Sequence, residues 1–215
     1  MGMLRCSVTD LTLGHPRVGG ACDSGAMTEL SSLSPAERHR AVAATFADVA
    51  AAVTDWDAQT PVPEWKSRDV VGHLVEWLPG FLAMNDVELP GAPSDAAEPA
   101  AAFGQLSQAV QALLDAPDAS RVLHTQMFGD KPLDALVDQF YTADVFMHTW
   151  DLARSNGITA HLDPGFAKML HRGLESMGPM LQESGQFGAP IPVPAGTDEV
   201  TSLMAFIGRD PSFGK

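Results

Sequence analysis

The stretch PLDALVDQFYTADVFMHTWDLARSNG, at residues 132–157, combines an apolar helical stripe with side chains that could do chemistry. The stripe is formed by apolar residues at helical spacing: Leu133, Leu136, Val137, Phe140 and Met147. Asp144 and Asp151 fall inside this stripe and His148 falls on its border, since a helix has about 3.6 residues per turn. Two carboxylates and an imidazole are therefore predicted to point toward the core.

An ionised carboxylate in an apolar interior is destabilising unless a counter-charge neutralises it. An arginine, a helix N-terminus, a histidine or a metal ion could supply that charge. Basic residues are scarce in this chain, with 13 Lys and Arg against 27 Asp and Glu. A divalent cation is therefore a serious candidate.

A second imidazole lies at the edge of another predicted apolar helix face. His73 flanks a stripe formed by Val70, Leu74, Trp77, Leu78 and Phe81. If the two helices are neighbours, His73 can approach Asp144 and His148, which is how helical bundles assemble metal sites. Two histidines and one carboxylate, with an open fourth position, suit catalytic zinc. The same ligands also suit non-haem iron, nickel or manganese.

Simpler interpretations stay open at this point. Asp144 and His148 could form an ordinary surface pair one turn apart, and His73 could be a hydrogen-bonded core residue. Asp151 could pair with Arg154 or with His148. A metal-free bundle, in which Asp144 pairs with both histidines, satisfies the same pattern.

The composition excludes several classes of protein. The chain has 215 residues, of which 45% are hydrophobic, with a formal net charge of −14, which fits one globular domain. The acidity argues against nucleic-acid and anionic membrane partners, which bind through Lys and Arg. No apolar run approaches the ~20 residues of a membrane span and no signal peptide is evident. Because Cys6 and Cys22 both lie in the Gly-rich opening, no disulfide framework is expected in the core, and a cytoplasmic location is the default.

The elements that must position these residues are predicted to be helical. Five helices are expected, over about residues 35–56, 67–88, 97–114, 132–156 and 164–183. Ser34, Ser67 and Asp163 are the predicted N-caps of three of them. Residues 116–131 are expected to be an irregular connection, and the Pro-rich tail GQFGAPIPVPAG is followed by a short amphipathic turn at about 197–207. With no alternating strand pattern, the fold is predicted to be all-α: a four-helix bundle with a crossover, an extra C-terminal helix and the tail.

Residues 1–27 show neither helical nor strand periodicity and are predicted to be a flexible leader before a helical domain at 28–215. Met27 is a hypothetical translation start. A metal clip formed by Cys6, His15 and Cys22 is disfavoured because its spacing is poor.

Three segments carry a family resemblance: VPEWKSRDVVGHLVEW, DVFMHTWDLARSNG and FGAPIPVPAGTDEVTSLMAFIGRDPSF. They resemble the actinobacterial metal-binding proteins related to mycothiol-dependent maleylpyruvate isomerase, within the DinB/YfiT-like superfamily. The resemblance covers nearly everything after the leader. The HxWDLA motif together with the upstream W-x-x-x-D-V-V-x-H-L is its more specific part.

The resemblance implies an up-down-down-up bundle with a divalent metal at one end, held by His73, Asp144 and His148. The family's acid is often Glu, so the shorter Asp is a departure that bears on metal preference. With a metal present, Asp151 would anchor a ligating imidazole. Arg209 could contact an anionic substrate or cofactor, or form a surface salt bridge. The isomerase has a further C-terminal domain for which this chain is too short, so its specific isomerase activity is not expected.

The leading hypothesis is a transferase or isomerase that uses zinc (or nickel, iron or manganese) and a thiol cosubstrate, mycothiol by resemblance. Metal coordination deprotonates a thiol of pKa ~8.5, and the thiolate could then attack an electrophilic carbon. No separate general base is evident, and His124 is a candidate that could equally be a surface residue. The alternatives are a hydrolase that activates water and a non-catalytic, stress-associated metal-binding module. The expected partners are a small thiol and an electrophile, and oligomerisation stays open.

Overall fold

The computed structural model describes residues 29–126, 129–178, 181, 183 and 185–214. A short 3₁₀ turn (Leu30–Ser32) leads into helix α1, Pro35–Ala52. The Ser34 hydroxyl accepts a hydrogen bond from the Glu37 amide, and the Glu37 carboxylate accepts one from the Ser34 amide. This reciprocal cap satisfies amides that the first turn leaves free, so the predicted start of α1 is confirmed.

The other regular elements of the described chain are helices, apart from one β-hairpin. Its elements, in chain order, are α2 (Ser67–Met84), α3 (Pro99–Leu114), β1 (Val122–Thr125), β2 (Gly129–Pro132), α4 (Leu133–Leu136), a π-helical segment (Val137–Thr142), α5 (Ala143–Ser155), α6 (Pro164–Ser176) and α7 (Glu199–Phe206). The mostly helical architecture is consistent with the all-α prediction.

Helices α1 and α2 each pack against both α3 and α5, so these four helices surround one core, while α6 packs against α7. The core is built from fully buried apolar side chains: Phe46, Leu74, Leu78, Phe103, Leu106, Leu136 and Phe146. Burial of this much apolar surface is the main stabilising contribution to the fold. It also brings one face of α2 against one face of α5.

The segments α4, π-helix and α5 form one continuous helical stretch from Leu133 to Ser155. Asn156 caps its C-terminus and Gly157 follows with a φ of +64°. The predicted end of this helix at Asn156-Gly157 is therefore confirmed. The π-helical turn in its middle was not predicted. Such turns occur where an extra residue interrupts an α-helix, and they are frequent at functional sites.

Two details of the prediction are wrong. Residues 116–131 are not wholly irregular, because β1 and β2 pair antiparallel, with Val122 opposite Pro132 and Thr125 opposite Gly129. The hairpin is short and mostly polar, so it leaves little hydrophobic alternation in the sequence. Ser67 does not cap α2: it is buried as the first helical residue, and the Asp69 carboxylate accepts from the Lys66 amide instead, at 2.8 Å.

Several helices also end earlier than predicted. Helix α1 ends at Ala52, since Val53 has an extended backbone, and the side-chain oxygen of Asn156 accepts from the next two amides, of Thr54 and Asp55, at 3.3 and 3.0 Å. Helix α2 ends at Met84, since Asp86 has a φ of +57°, which an α-helix does not allow. Helix α6 ends at Ser176 rather than near 183.

No described helix is both long and apolar enough to cross a bilayer. The predicted leader, with its candidate ligands Cys6, His15 and Cys22, lies outside the described residues.

Candidate metal centre

Helix α2 contributes His73 from the edge of its apolar face. Neighbouring positions on the helix, Val70 and Leu74, are completely buried against the core, which holds the helix in place. The His73 side chain remains 32% exposed. One turn later, Trp77 projects from the same side of the helix and its ring stacks near that of His73, with 6.3 Å between the centroids.

Helix α5 contributes Asp144 from its first turn and His148 one turn further on. The π-helical segment ends at Thr142, immediately before α5 begins at Ala143. The Asp144 side chain is 20% exposed and that of His148 is 5% exposed. Both residues lie on the face of α5 that meets α2.

The three side chains converge. His73 Nε2 lies 3.0 Å from Asp144 Oδ2, and His148 Nε2 lies 3.4 Å from Asp144 Oδ1. One potential ligand atom from each residue lies within 4.8 Å of the other two. Two imidazole nitrogens and one carboxylate oxygen are a donor set that zinc accepts, and the partial exposure of His73 and Asp144 leaves the cluster open to solvent on one side.

The carboxylate and imidazole stabilise each other's charged forms. Burial alone would raise the pKa of Asp144, but the charge of His148, the charge and hydrogen bond of His73 and the indole N–H of Trp77 hold it below its usual value. Burial would lower the pKa of His148, but the carboxylates of Asp144 and Asp151 outweigh that effect and raise it. A cation that binds here must therefore compete with protons.

A second carboxylate, that of Asp151, contacts the His148 ring at the nitrogen that faces away from Asp144. Asp151 is fully buried, and its Oδ2 lies 2.9 Å from His148 Nδ1. Of the partners predicted for Asp151, the structure shows His148; that the contact anchors a metal ligand stays a prediction. Because Nδ1–H donates to Asp151, Nε2 is the nitrogen that faces Asp144, and this arrangement is typical of the outer partners of metal-ligating histidines.

Two indole rings border the cluster. The Trp65 ring lies 5.0 Å from that of His73 and stacks on that of His148 at 5.6 Å. The Trp77 Nε1–H donates to Asp144 Oδ2 at 3.0 Å. Sequence reasoning missed both roles, although a partly buried indole N–H usually needs an acceptor, and the one-turn spacing from His73 to Trp77 was a signal for it.

Two other predicted residues lie elsewhere. Arg209 is buried, and its guanidinium contacts Asp151 rather than any of the three candidate ligands. A direct contact between Arg209 and a cofactor stays a prediction. His124 lies exposed in the hairpin and pairs with Asp130 at 2.9 Å.

Comparisons with known proteins place these residues in a family context. A family model described as the mycothiol maleylpyruvate isomerase N-terminal domain matches residues 39–153, which include all three candidate ligands. The chain is also 28% identical, over 154 residues, to two uncharacterized proteins of Mycobacterium tuberculosis, from strains CDC 1551 / Oshkosh and ATCC 25618 / H37Rv. The alignment covers 70% of this chain and 82% of each relative. No solved structure matches the chain with comparable significance.

Proposed function

The chain belongs to the family of the mycothiol maleylpyruvate isomerase N-terminal domain, and from that premise we propose that it is a divalent-metal protein that joins a small thiol to an electrophilic substrate. The reaction class is thiol transfer or thiol-assisted isomerisation, with mycothiol as the first candidate cosubstrate. The observation that carries the proposal is the convergence of His73, Asp144 and His148 from two helices, with ligand atoms within 4.8 Å of one another.

These three residues would hold the metal, with zinc as the first choice and nickel, iron or manganese as alternatives. When bound, the ion supplies Lewis acidity that lowers the pKa of a coordinated thiol or water. The donor set fits because it pairs borderline imidazole ligands with one anionic oxygen and leaves room for an exchangeable ligand. The Asp in place of the family's frequent Glu is one methylene shorter, which bears on the choice of metal.

The surrounding residues position this cluster. Asp151 holds the His148 ring so that Nε2 faces Asp144. Trp77 donates to Asp144 and restricts its rotation. The rings of Trp65 and Trp77 flank His73, where they would exclude water from part of the site and offer apolar surface to a bound substrate.

The helices that carry these residues would form a DinB-like up-down-down-up bundle. In support, α1 and α2 each pack against α3 and α5, which is the neighbour relationship of a four-helix bundle.

Metal analysis is the first test. Protein stripped with a chelator is titrated with Zn²⁺, Ni²⁺, Fe²⁺ and Mn²⁺, and stoichiometric binding of one of them is expected. His73→Ala and His148→Ala should lose that binding. His124→Ala is the matched control, since His124 pairs with Asp130 in the exposed hairpin. If both site variants keep a stoichiometric metal, the proposed site is wrong.

A thiol screen then tests the reaction class. Thermal unfolding is followed with mycothiol, glutathione and bacillithiol, with and without metal, and a ligand that binds the folded state raises the midpoint. We expect the largest shift for mycothiol with metal present, and no such shift in His148→Ala. Metal binding without a response to any thiol would contradict the thiol function and favour a non-catalytic metal-binding module or a hydrolase.

A further inference from the structure

Arg209 is an unusual residue to find buried, because the chain is strongly acidic and most basic side chains among the described residues are at least partly exposed. Its side chain is only 9% exposed. The guanidinium uses two of its nitrogens on one carboxylate: Nε donates to Asp151 Oδ1 and Nη2 donates to Asp151 Oδ2, each at 3.3 Å. Its third nitrogen, Nη1, donates to the Ile207 carbonyl at 3.3 Å.

The same carboxylate also orients a candidate metal ligand. Asp151 Oδ2 accepts from Arg209 and from His148 Nδ1 at once, and Asp151 has no exposed surface. A two-point contact from a planar guanidinium fixes both the position and the rotation of a carboxylate, which a single point charge does not do. The orientation of the His148 ring therefore depends on a residue 61 positions along the chain.

The local backbone delivers Arg209 to this position. Helix α7 ends at Phe206, the Gly208 amide donates to the Ala205 carbonyl at 3.0 Å, and the Arg209 amide donates to the Met204 carbonyl at 2.9 Å. These two bonds, with Gly208 at φ +87°, form a Schellman motif that turns the chain inward. On the other side of Gly208, the Gly188 amide donates to the Ile207 carbonyl at 3.1 Å.

We propose that Arg209 is a positioning residue of the metal site: it holds Asp151, Asp151 holds His148, and docking of the segment that follows α7 thereby sets the affinity for the metal. This inference rests on the proposed function for its metal. It assigns Arg209 a role through Asp151 instead of a contact with substrate.

The test compares two buried arginines. Arg209→Gln removes the two-point guanidinium contact with the Asp151 carboxylate. Arg38→Gln is the matched control, since the Arg38 side chain is also 9% exposed and also pairs with a partly buried aspartate, Asp138. We expect Arg209→Gln to weaken Zn²⁺ affinity, measured by chelator competition, by about 10- to 100-fold, as for other outer partners of metal ligands. Arg38→Gln should lower the thermal midpoint while leaving Zn²⁺ affinity unchanged.

Two further measurements separate positioning from general destabilisation. Arg209→Lys keeps the positive charge but cannot make the two-point contact with Asp151, so its Zn²⁺ affinity should lie between those of wild type and Arg209→Gln. The Co²⁺-loaded protein reports ligand geometry through its visible absorption spectrum. That spectrum should change in Arg209→Gln and stay unchanged in Arg38→Gln. Wild-type Zn²⁺ affinity and an unchanged spectrum in Arg209→Gln would overturn the inference.

A metal-free readout keeps this test independent of the proposed function. The ¹⁵N chemical shifts of the His148 ring report the hydrogen bond from Nδ1 to Asp151, and they should move in Arg209→Gln but not in Arg38→Gln. If wild type binds no metal, the proposed function fails, and the coupling to metal affinity is overturned with it. The ¹⁵N shifts would then still decide whether Arg209 orients the ring. If the shifts do not move in either variant, Arg209 is not a positioning residue.

Discussion

The indole of Trp77 donates a hydrogen bond to Asp144 Oδ2, the same oxygen that lies 3.0 Å from His73 Nε2. The donor and the imidazole lie one turn apart on α2, so a single helix face both presents one candidate ligand and restrains another. The restraint matters because a short carboxylate that rotates freely would have to be reordered when a cation binds.

Replacing Trp77 with Phe tests whether its hydrogen bond to Asp144 restrains that carboxylate. Trp77→Phe keeps a ring beside His73 but removes the donor to Asp144, so Zn²⁺ affinity should fall several-fold and the free energy of unfolding should fall by about 1–3 kcal/mol. Chelator competition and urea denaturation measure the two effects. Trp56→Phe, at a half-buried indole on the chain between α1 and α2, is the control. An equal loss of affinity in both variants would contradict the restraint.

Asp151 joins two charged side chains in the interior, so its removal should be costly. Asp151→Asn leaves the Arg209 guanidinium buried without its counter-charge, and the metal-free protein should lose about 3–5 kcal/mol of unfolding free energy. Asp115→Asn provides the comparison, since its pair with Arg40 is half exposed and should contribute under about 1 kcal/mol. Urea denaturation that gave similar losses for both would mean that the Asp151 network adds little to stability.

Gly208 lies where two chain segments cross, and a side chain there should be excluded. A Cβ on Gly208 would lie 2.6 Å from the Gly188 Cα, and the residue has a φ of +87°. Gly196 has nearly the same φ, +85°, and a Cβ added there would meet nothing within 4 Å. Gly196→Ala therefore measures the backbone strain alone, about 1 kcal/mol. Gly208→Ala should lower the free energy of unfolding by more than Gly196→Ala does, and it should also weaken Zn²⁺ binding because it displaces Arg209. Equal shifts in the thermal midpoint for the two variants would contradict a close contact between Gly208 and Gly188.

Stability should depend on pH through His39. This side chain is buried, and its Nδ1 lies 2.9 Å from the Gln111 side-chain oxygen. Burial lowers the pKa of His39, and the hydrogen bond with Gln111 only partly offsets this. The unfolded chain takes up the proton below about pH 6.5 while the folded protein resists it, so the free energy of unfolding should fall as the pH drops from there toward the lowered pKa.

His39→Phe should flatten that part of the pH dependence. The variant keeps a ring beside Tyr141, whose centroid lies 6.1 Å from that of His39, and removes the titrating group. Urea denaturation of chelator-treated protein between about pH 7 and pH 5 gives the difference between wild type and variant. His124→Gln, in the exposed hairpin, is the control. A wild-type slope retained in His39→Phe would contradict the assignment.

Much of the candidate site could be predicted because charged residues on an apolar stripe stand out against the helical period. Asp144 and His148 stood out in this way on the stripe of residues 132–157. Their partner His73 was predicted from the apolar stripe of the helix that is now α2. The outer contacts could not be predicted in the same way. Arg209 reaches Asp151 only through the turn at Gly208, and such long-range contacts leave no periodic signal.

The errors in the fold have related physical causes. Ser67 has the residue type of a cap, yet its hydroxyl lies 2.8 Å from that of Ser155, so a tertiary contact overrides the local preference. The π-helical segment, Val137–Thr142, keeps an amphipathic pattern that a regular α-helix would also show. A fixed angle of 100° per residue therefore could not reveal the irregular turn.

That irregular turn bears on how this chain is compared with its relatives. Its hydrogen bonds span one residue more than those of an α-helix, so a protein with one residue fewer at positions 137–142 could keep an unbroken helix there. The residues after the deletion would then keep their orientation, because the wider turn is what absorbs the extra residue here. An alignment that forbids gaps inside helices would shift the acid and the histidine of such a relative by one column, and a shared ligand set would be scored as a difference.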